Sequence, residues 1–392
     1  MNPDKFRDSP SGSLVPTVYD QWAFVPNPLP PPLNMNRIMS EVDRASRAMG
    51  ELKGKSDRIS NPYHLINPLQ QREALSSSSI EGTYTTPSQL LLFDAGHEKA
   101  TRQTAETREV HNYVRALEYG LKRMDEIPIS SRFIGELHAI LLEGVARHRG
   151  ASIIPGEFKK NQNFIGSVSR GIAHARFIPA PPDLTPQLMG DLEKFIHSQE
   201  ARRLPPVVFN ALVHYHFEAI HPFPDGNGRL GRLLVPLLLR AHDVMPAPLL
   251  YISPFIERHK DEYNDLMLEV SRRGAWEEWV CFFARAIERS ARDAMEKIDK
   301  IAALREDFIQ QVRQARASAL LGELVDLVFE RLVISVPEAS GRLEVTYPAA
   351  KKNVEKLVRL GILKPINLGG RPKRFVCHRL FHIIFETEFS NG

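Results

Sequence analysis

Apolar residues recur at intervals of three and four along most of the chain, which is the spacing of one face of an α-helix. In residues 35–52 this spacing places Ile38, Val42, Ala45 and Met49 on one face. The same spacing predicts further helices over residues 67–75, 101–124, 130–147, 185–199, 205–220, 228–242, 254–272 and 276–312. The predicted fold class is therefore mainly α.

Two segments interrupt this pattern. Residues 1–34 carry five prolines between Pro26 and Pro32, which excludes a helix there and predicts an extended, proline-rich N-terminal arm. Residues 156–186 combine aromatic and β-branched residues with two interrupting glycines, which predicts a β-hairpin flap.

The pattern changes again after about residue 318. The segments predicted there are a helix at 320–332, a turn at 337–341, a β-like piece at 342–346, a basic helix at 347–360, a glycine-rich turn at 369–372 and a strand at 374–377. This order is typical of a winged helix-turn-helix. The chain is thus divided into an arm (1–34), N-terminal helices (35–100), a helical core with the following helices (101–312) and a winged-helix domain (313–392).

Charge supports the last of these boundaries. The 392 residues carry a net charge of +4, but residues 313–379 contain 13 Lys and Arg against 6 Asp and Glu, so the rest of the chain is slightly acidic. An apolar fraction of 43% fits a globular protein, and no apolar run is long enough to span a bilayer. Two cysteines far apart fit a reducing cytoplasm better than a disulfide scaffold.

The chemistry is concentrated in residues 221–232, HPFPDGNGRLGR, which connect two predicted helices. Amides at the start of the second helix attract anions, and Gly226 and Gly228 let the backbone approach phosphate oxygens closely. Arg229 and Arg232 lie three residues apart, and each can bind phosphate through two N–H groups. These features predict a site for the phosphates of a nucleotide.

Two further side chains of this segment indicate a reaction. Asp225 would repel phosphate unless it binds a cation, which predicts Mg²⁺ between its carboxylate and the phosphates. His221 can act as a base near neutral pH, taking the proton of a hydroxyl that attacks phosphorus. Taken singly, these features also fit a turn, a loop histidine and a solvated helix face. Their coincidence in twelve residues favours phosphate chemistry.

Residues 221–232 resemble the signature of the Fic family, HPFx[DE]GNGRxxR, at every specified position. The resemblance covers about residues 35–300. It implies a Fic-type helical core and the transfer of AMP from ATP to a protein hydroxyl, with His221 as general base and Asp225 as the Mg²⁺ ligand. The nucleotide-binding residues that it implies in this segment are Asp225, Gly226, Asn227, Gly228, Arg229, Leu230, Gly231 and Arg232.

An inhibitory motif is implied by a second resemblance. Residues 77–82, SSSIEG, match the family's pattern [ST]xxxE[GN], so Ser77, Glu81 and Gly82 are its expected members. In relatives the glutamate pairs with the last arginine of the signature. Glu81 on Arg232 would occupy the partner of the γ-phosphate and add negative charge where phosphate must sit. Without the signature, the serine-rich stretch would be interpreted as a loop or a helix cap.

The flap and one tyrosine complete the expected site. Residues 156–166 resemble the family's flap, which lies over the site and aligns the target by strand addition; a hairpin with only a packing role is the alternative. Tyr263 stands where many relatives have the first of two tyrosines near the base, whereas Asn264 departs from the second. The flap residues expected nearest the nucleotide are Asn163, Phe164, Ile165 and Gly166.

Two classes of function remain open. The first is AMP transfer, autoinhibited by Glu81, to a protein target or to the chain itself; removal of AMP and transfer of another nucleotide or phosphate moiety are variants of it. The second is a nucleotide-sensing, DNA-binding regulator, because helix 347–360 and the predicted wing are basic, although such domains also serve in dimerisation. The partners considered are therefore ATP, a protein hydroxyl, a homodimer and DNA, without a membrane.

Overall fold

The computed structural model of the protein describes residues 1–57, 63–94, 105–145, 153–166, 171–245, 247–315, 319–366 and 373–385. The helices are α1 (Met35–Ser56), α2 (Tyr63–Ile80), α3 (Pro87–Asp94), α4 (Ala105–Arg123), α5 (Ser131–Leu141), α6 (Thr185–Ile196), α7 (Gln199–Arg203), α8 (Pro206–Ile220), α9 (Asn227–Ala241), α10 (Ser253–Arg258), α11 (Lys260–Arg273), α12 (Trp276–Gln314), α13 (Ala319–Arg331), α14 (Val336–Leu343), α15 (Tyr347–Arg359) and α16 (His378–Phe385). The strands are β1 (Gly12–Pro16), β2 (Trp22–Pro26), β3 (Val333–Ser335), β4 (Lys364–Ile366) and β5 (Arg374–Val376).

The mainly α fold class is confirmed, and α8 and α9 lie at its centre. Residues 207–220 of α8 are all buried, as expected for a helix that is apolar around most of its surface. Helices α9, α12 and α6 pack against α8, and α4, α5 and α2 pack against α9. The indole N–H of Trp279 on α12 donates to the carbonyl of Ala211 on α8 at 2.8 Å. The loop between α8 and α9 is therefore supported from several sides.

Two predicted helices are each divided in the structure. The helix expected over residues 185–199 ends at Ile196, and α7 begins after Ser198, whose hydroxyl caps it by accepting from the Ala201 amide at 3.0 Å. The helix expected over residues 254–272 is interrupted at His259 between α10 and α11. The expected start at 101 and end at 147 of two other helices lie outside the described residues.

The predicted N-terminal arm contains a β-hairpin that sequence reasoning missed. Strands β1 and β2 pair antiparallel, with Leu14 opposite Phe24. The Phe24 ring packs with Phe6 and Phe177, and its amide donates to the carbonyl of Ile178 at 2.8 Å. Burial of these aromatic rings stabilises the hairpin on the core. Pro26 ends strand β2, the other four prolines of the cluster follow it, and residues 27–34 are non-helical as expected.

The serine-rich stretch after the predicted helix 67–75 is helical. Helix α2 continues through it to Ile80, and Gly82 follows with a φ of 81°. Ser77 and Ser78 are fully buried. Small side chains permit close packing here, which the polar composition of the stretch did not indicate.

The predicted flap is a short hairpin. Within the described part of residues 156–186, one antiparallel bridge joins Ile165 to Phe177, and Ile165 donates its amide to the Phe177 carbonyl at 2.8 Å. A 3₁₀ turn, Ile172–His174, lies between these two residues. Residues 167–170, also part of the predicted flap, lie outside the described residues.

The C-terminal segment follows the predicted order except at two places, strand β3 and helix α14, neither of which was predicted. Helix α14 occupies Val336–Leu343, where a turn and a β-like piece were expected. A capping box between Ser335 and Glu338 starts this helix: the Ser335 amide donates to the Glu338 carboxylate at 2.7 Å. Strands β3, β5 and β4 form an antiparallel sheet in that order. The assignment as a winged helix and the boundary at 313 stay predictions, and the turn at 369–372 lies outside the described residues.

Over the described ranges, no helix is both long and apolar enough to cross a bilayer. Cys281 and Cys377 are both free thiols. Cys377 is buried, and burial raises the pKa of its thiol.

Candidate active site

The loop of residues 221–226 joins α8 to α9 through two left-handed residues. His221 ends α8 with a φ of 50° and a ψ of 62°, an uncommon conformation for a residue with a side chain. Gly226 precedes α9 with a φ of 82°, which glycine adopts without steric cost. The first amides of α9, which begins at Asn227, lack helical partners and can serve an anion.

Two asparagines hold this loop in place. The Asn227 carboxamide accepts from the Phe223 amide at 2.9 Å and donates to the Phe223 carbonyl at 2.8 Å. Asn163 of the flap donates to the carbonyls of His221 and Phe223 at 3.2 and 3.0 Å. Both side chains were predicted to contact the nucleotide, but in this structure their amides bind the loop backbone. These hydrogen bonds hold the backbone at His221 in its strained, left-handed conformation.

Lys159, which was not predicted as a site residue, joins the flap to the end of α8. Its ammonium group donates to the Ile220 carbonyl and to the Asn163 side chain, each at 3.0 Å. The Lys159 amide also donates to the Pro222 carbonyl at 2.9 Å. Burial lowers the pKa of this lysine to about 7.

His138 of α5 supports the other side of the loop. Its ring stacks on Phe223 with a centroid distance of 3.9 Å. The Gly156 amide donates to His138 Nδ1 at 2.8 Å, so Nε2 carries the hydrogen and donates to the Asp225 carbonyl at 3.0 Å. Burial lowers the pKa of His138 to about 4, which keeps the ring neutral in this bridging role.

His221, the predicted general base, lies at the mouth of the site. Its side chain is 20% exposed, and its Nδ1 lies 3.7 Å from the Glu218 carboxylate one turn earlier in α8. Burial, helped by the charge of Lys159, lowers the pKa of His221 to about 4. The imidazole is therefore neutral at pH 7, the form in which it can accept a proton.

Arg229 is fully buried at the start of α9. Its Nη1 donates to the Glu109 carboxylate of α4 at 2.7 Å. Its Nη2 lies 3.7 Å from the Asp225 carboxylate. Arg229 thus ties α9 to α4 behind the loop. The predicted phosphate contact of Arg229 stays a prediction.

Arg232 joins α9 to the end of α2. Its Nε donates to the Ser77 hydroxyl at 2.9 Å, and its Nη2 donates to the Ser77 carbonyl and the Glu81 carboxylate, each at 2.8 Å. A β-carbon placed on Gly228 would lie 2.1 Å from Glu81 Oε1. The Glu81 carboxylate therefore lies directly against the first turn of α9, where an anion would bind.

Charge favours this arrangement. Desolvation alone would raise the pKa of Glu81, but Arg232, with smaller contributions from Arg229 and His221, lowers it below its ordinary value. Glu81 is therefore ionised at neutral pH. The predicted pairing of Glu81 with Arg232 is present in the structure, whereas its effect on activity is a separate question.

Asp225 suits the predicted magnesium ion. Its side chain is 27% exposed, and its Oδ1 accepts from the Gly226 amide at 2.7 Å. Mg²⁺ prefers oxygen ligands and keeps several waters, binding through one or two carboxylates together with substrate phosphates. No cluster of three or more potential ligands occurs in the described ranges. A single carboxylate beside an anion site fits an ion brought by a nucleotide.

The remaining flap residues lie at or beside the hairpin bridge. Ile165 is 38% exposed at the hairpin bridge, and Gly166 follows it with a φ of 151°. Phe164 is partly buried and packs against Ala175 and Ile178. Ile165 therefore presents its side chain to solvent while its amide and carbonyl bind the opposite strand, and Phe164 has a packing role in this structure.

Three residues of the predicted nucleotide site belong to the core. Leu230 is fully buried. A β-carbon on Gly231 would lie 2.4 Å from the Glu218 carboxylate, so this glycine makes room for Glu218. Tyr263 is 2% exposed, and its hydroxyl hydrogen-bonds His214 at 2.7 Å. The predicted base contact of Tyr263 stays a prediction.

Sequence reasoning missed four residues that organise the site. Glu109, Glu218, His138 and Lys159 each lie on an element packed against the loop. The signal for Glu109 and Glu218 was a charged residue on an otherwise apolar helix face, which implies a buried partner. His138 is likewise a polar residue on an otherwise apolar face of α5. Lys159 lies within the flap that the sequence predicts.

Comparison with known proteins places the chain in a family. Residues 39–122 match the Fic/DOC family N-terminal model, and residues 128–239 match the Fic/DOC family model. The protein adenylyltransferase Fic of Drosophila melanogaster is 31% identical over 203 residues, which cover 48% of this chain and 37% of that protein. The Aedes aegypti protein of the same name is 28% identical over 247 residues, covering 56% and 45%. The chain spans less than half the length of these curated relatives.

Solved structures agree in fold. A Fic family protein from Desulfovibrio desulfuricans G20 superposes with a TM-score of 0.59 at 20% identity, covering 89% of this chain and 98% of that one. Fic-1 from C. elegans gives 0.53 at 19% identity, covering 68% and 75%. At these identities the likeness shows the fold alone. Because the two family models together span half of its residues, the chain belongs to the Fic/DOC family.

Proposed function

We propose that the chain transfers AMP from ATP to a hydroxyl side chain of a protein, releasing diphosphate, and that Glu81 inhibits this reaction. The observation that carries the proposal is the position of the Glu81 carboxylate, 2.8 Å from Arg232 Nη2 and against the first turn of α9. A carboxylate is held where a phosphate group would find a buried arginine and free helix amides. The name of the insect relatives, protein adenylyltransferase, supports the same reaction.

The reaction uses the loop residues in distinct roles. The target hydroxyl gives its proton to His221 while its oxygen forms a bond to the α-phosphorus, and the bond from that phosphorus to the diphosphate oxygen breaks with its electron pair. The amides of α9 and Arg232 stabilise the charge on the phosphates. Asp225 would hold Mg²⁺, which neutralises negative charge on the phosphates when bound. The flap edge at Ile165 would align the target.

Inhibition follows from competition for Arg232. The γ-phosphate and Glu81 both require this guanidinium, and two anions cannot share the space above Gly228. ATP would therefore bind with its γ-phosphate displaced and its α-phosphorus out of line with the attacking hydroxyl. Withdrawal of Glu81 would free both the arginine and the helix amides.

Incubation of the chain with α-labelled ATP, Mg²⁺ and a cell lysate tests the proposal. We expect Glu81→Gly to increase label on protein tenfold or more, equivalent to about 1.4 kcal/mol. We expect His221→Ala in that background to reduce it by about 10²–10⁴-fold, the range for loss of a general base. Mass spectrometry of the labelled residue would identify the added group as AMP or as another moiety.

Two controls separate the carboxylate from helix flexibility. Ser79→Gly introduces the same flexible residue two positions earlier and should leave labelling at the wild-type level, whereas Glu81→Gln should increase it. Absence of label with Glu81→Gly, despite binding of ATP, would overturn AMP transfer. Loss of pre-attached AMP that requires intact Glu81 would instead indicate the reverse reaction.

A further inference from the structure

Glu218 is a buried carboxyl group that the proposed reaction leaves without a role. It lies on α8 one turn before His221, and its Oε2 is 3.7 Å from His221 Nδ1. The residue is 8% exposed, and its Oε1 has no hydrogen-bond partner among the described residues. A buried acid without a full set of partners is costly, so its presence beside the base calls for an explanation.

The signature segment makes room for this acid. A β-carbon on Gly231 would lie 2.4 Å from Glu218 Oε1 and 3.3 Å from the Phe217 ring. Any side chain at position 231 would therefore displace the carboxyl group. Two separate elements, α8 and α9, thus cooperate in placing Glu218 beside His221.

The geometry also decides which nitrogen of His221 is available. Nδ1 is buried and directed toward α8, where both the backbone and the carboxyl group of Glu218 lie. Nε2, the opposite ring atom, is left for the target hydroxyl. A histidine acts as a base through Nε2 only when Nδ1 carries the hydrogen, and a group that accepts that hydrogen bond fixes this tautomer. At 3.7 Å the two groups are adjacent but not hydrogen-bonded, and contacts between catalytic groups often tighten when substrate binds.

We propose that Glu218 is a positioning residue for His221: its carboxylate accepts a hydrogen bond from Nδ1–H and leaves the Nε2 lone pair for the target hydroxyl. This inference rests on the proposed function. During transfer the proton of the hydroxyl moves to Nε2, and the carboxylate stabilises the imidazolium that forms. The proton leaves from Nε2 afterwards, and the Glu218 carboxylate takes no proton in the transfer.

Several charged groups set the protonation of this pair. Burial raises the pKa of Glu218 to about 8, opposed by Arg232 and reinforced by Glu81. Withdrawal of Glu81 therefore favours the Glu218 carboxylate that supports the base. The groups that face His221 or Glu218 from the surrounding elements are Lys159 of the flap, Glu81 after α2, Asp225 of the loop, Arg232 of α9 and Tyr263 of α11.

Nitrogen NMR of ¹⁵N-histidine in the full chain tests the inference without any enzymatic assay. The signals of His221 are assigned by their loss in His221→Ala. At pH 9 we expect its neutral ring to carry the hydrogen on Nδ1. Its shifts should also change with an inflection near pH 8, as Glu218 ionises. Glu218→Gln and Glu218→Met should both abolish the inflection, and Met, which offers no acceptor, should also reduce the Nδ1–H form.

Two further variants separate positioning from folding. Gly231→Ala leaves the charge of Glu218 in place but displaces its carboxyl group, so it should weaken the inflection in a folded protein. Glu73→Gln removes another fully buried carboxyl group, which binds Tyr113 and Ser253, and should leave the inflection unchanged. A hydrogen on Nε2 at pH 9, or an inflection that persists in Glu218→Gln, would overturn the inference.

Activity provides a second, separable readout. In the Glu81→Gly background we expect Glu218→Gln to lower kcat at least tenfold with little change in the KM for ATP. The pH profile should lose the rise that accompanies ionisation of Glu218. If Glu81→Gly transfers no label, the proposed function fails, whereas the NMR result on Glu218 and His221 still stands or falls by itself.

Discussion

The two arginines of the signature segment make the same kind of contact in different surroundings. Arg229 and Arg232 are both buried, and each donates to a glutamate at 2.7–2.8 Å. The side chain of Glu109 is 3% exposed near the start of α4, whereas that of Glu81 is 35% exposed just beyond the end of α2. One pair is part of the core, and the other has a partner that can withdraw into solvent.

The two glutamate partners differ in how firmly they are held, and this determines the role of each arginine. Glu109 also accepts from the Thr83 hydroxyl at 3.1 Å, so its carboxylate is fixed by two elements at once. Displacing it from Arg229 would leave a buried charge. Displacing Glu81 from Arg232 moves the carboxylate into water, while the buried guanidinium keeps its hydrogen bonds to the Ser77 hydroxyl and carbonyl. We therefore infer that Arg229 holds the shape of the loop, while Arg232 changes partner.

The largest expected effect is on stability. Glu109→Gln should lower the free energy of unfolding by about 3–5 kcal/mol, because breaking a buried pair leaves an uncompensated charge on Arg229. Glu81→Gln should lower it by about 1 kcal/mol or less, because a partly exposed pair contributes little. Urea unfolding followed by circular dichroism measures both. Equal losses for the two variants would contradict the distinction between the pairs.

An intermediate effect is expected on the end of α2. Arg232→Lys removes the planar group that holds Ser77 and Glu81 together, and a lysine ammonium cannot reproduce three bonds in that geometry. Hydrogen exchange at the amides of residues 77–83 should accelerate about tenfold, equivalent to about 1.4 kcal/mol. Arg240→Lys, at the far end of α9, is the matched control. Unchanged exchange at 77–83 would show that α2 is held by its apolar contacts alone.

The same contrast explains what the sequence could predict. The loop chemistry of residues 221–232 is local, since its glycines, histidine and arginines are adjacent in the chain, and the helices around it follow from apolar spacing. The partners of those residues are distant: Glu109 precedes Arg229 by 120 positions, and Ser77 precedes Arg232 by 155. Spacing along one helix does not reveal which charged residue on another will meet it.

The errors have similar physical causes. The N-terminal hairpin is stabilised by packing of Phe24 against Phe177. This contact joins residues far apart in the sequence, and the proline content does not indicate it. The serines of α2 are helical because Ser77 is buried against Arg232, a tertiary contact that overrides low helix propensity. Helix α14 was missed although its capping box, Ser335 followed three residues later by Glu338, can be recognised in the sequence. Only the last of these errors was avoidable.

The smallest expected effect is on how stability depends on pH. Arg232 lowers the pKa of Glu81 below its ordinary value of 4.5. The contribution of their contact to stability is therefore complete above pH 4.5 and is lost as the pH falls through the lower pKa of the folded state. The difference in Tm between wild type and Glu81→Gln, about 1–2 °C, should stay constant from pH 7 to 5 and shrink as the pH falls below 4.5.

Comparing the two proteins removes the influence of titrating groups that do not interact with Glu81. Buried histidines such as His138 and His214, whose pKa values burial lowers to about 4 and about 3, also destabilise the fold as the pH falls below 6.5. They do so equally in wild type and in Glu81→Gln, so their effect cancels in the difference. A difference that already shrinks between pH 7 and 5 would mean that Arg232 does not hold Glu81 ionised. The contact could then not act as a competitor for phosphate at neutral pH.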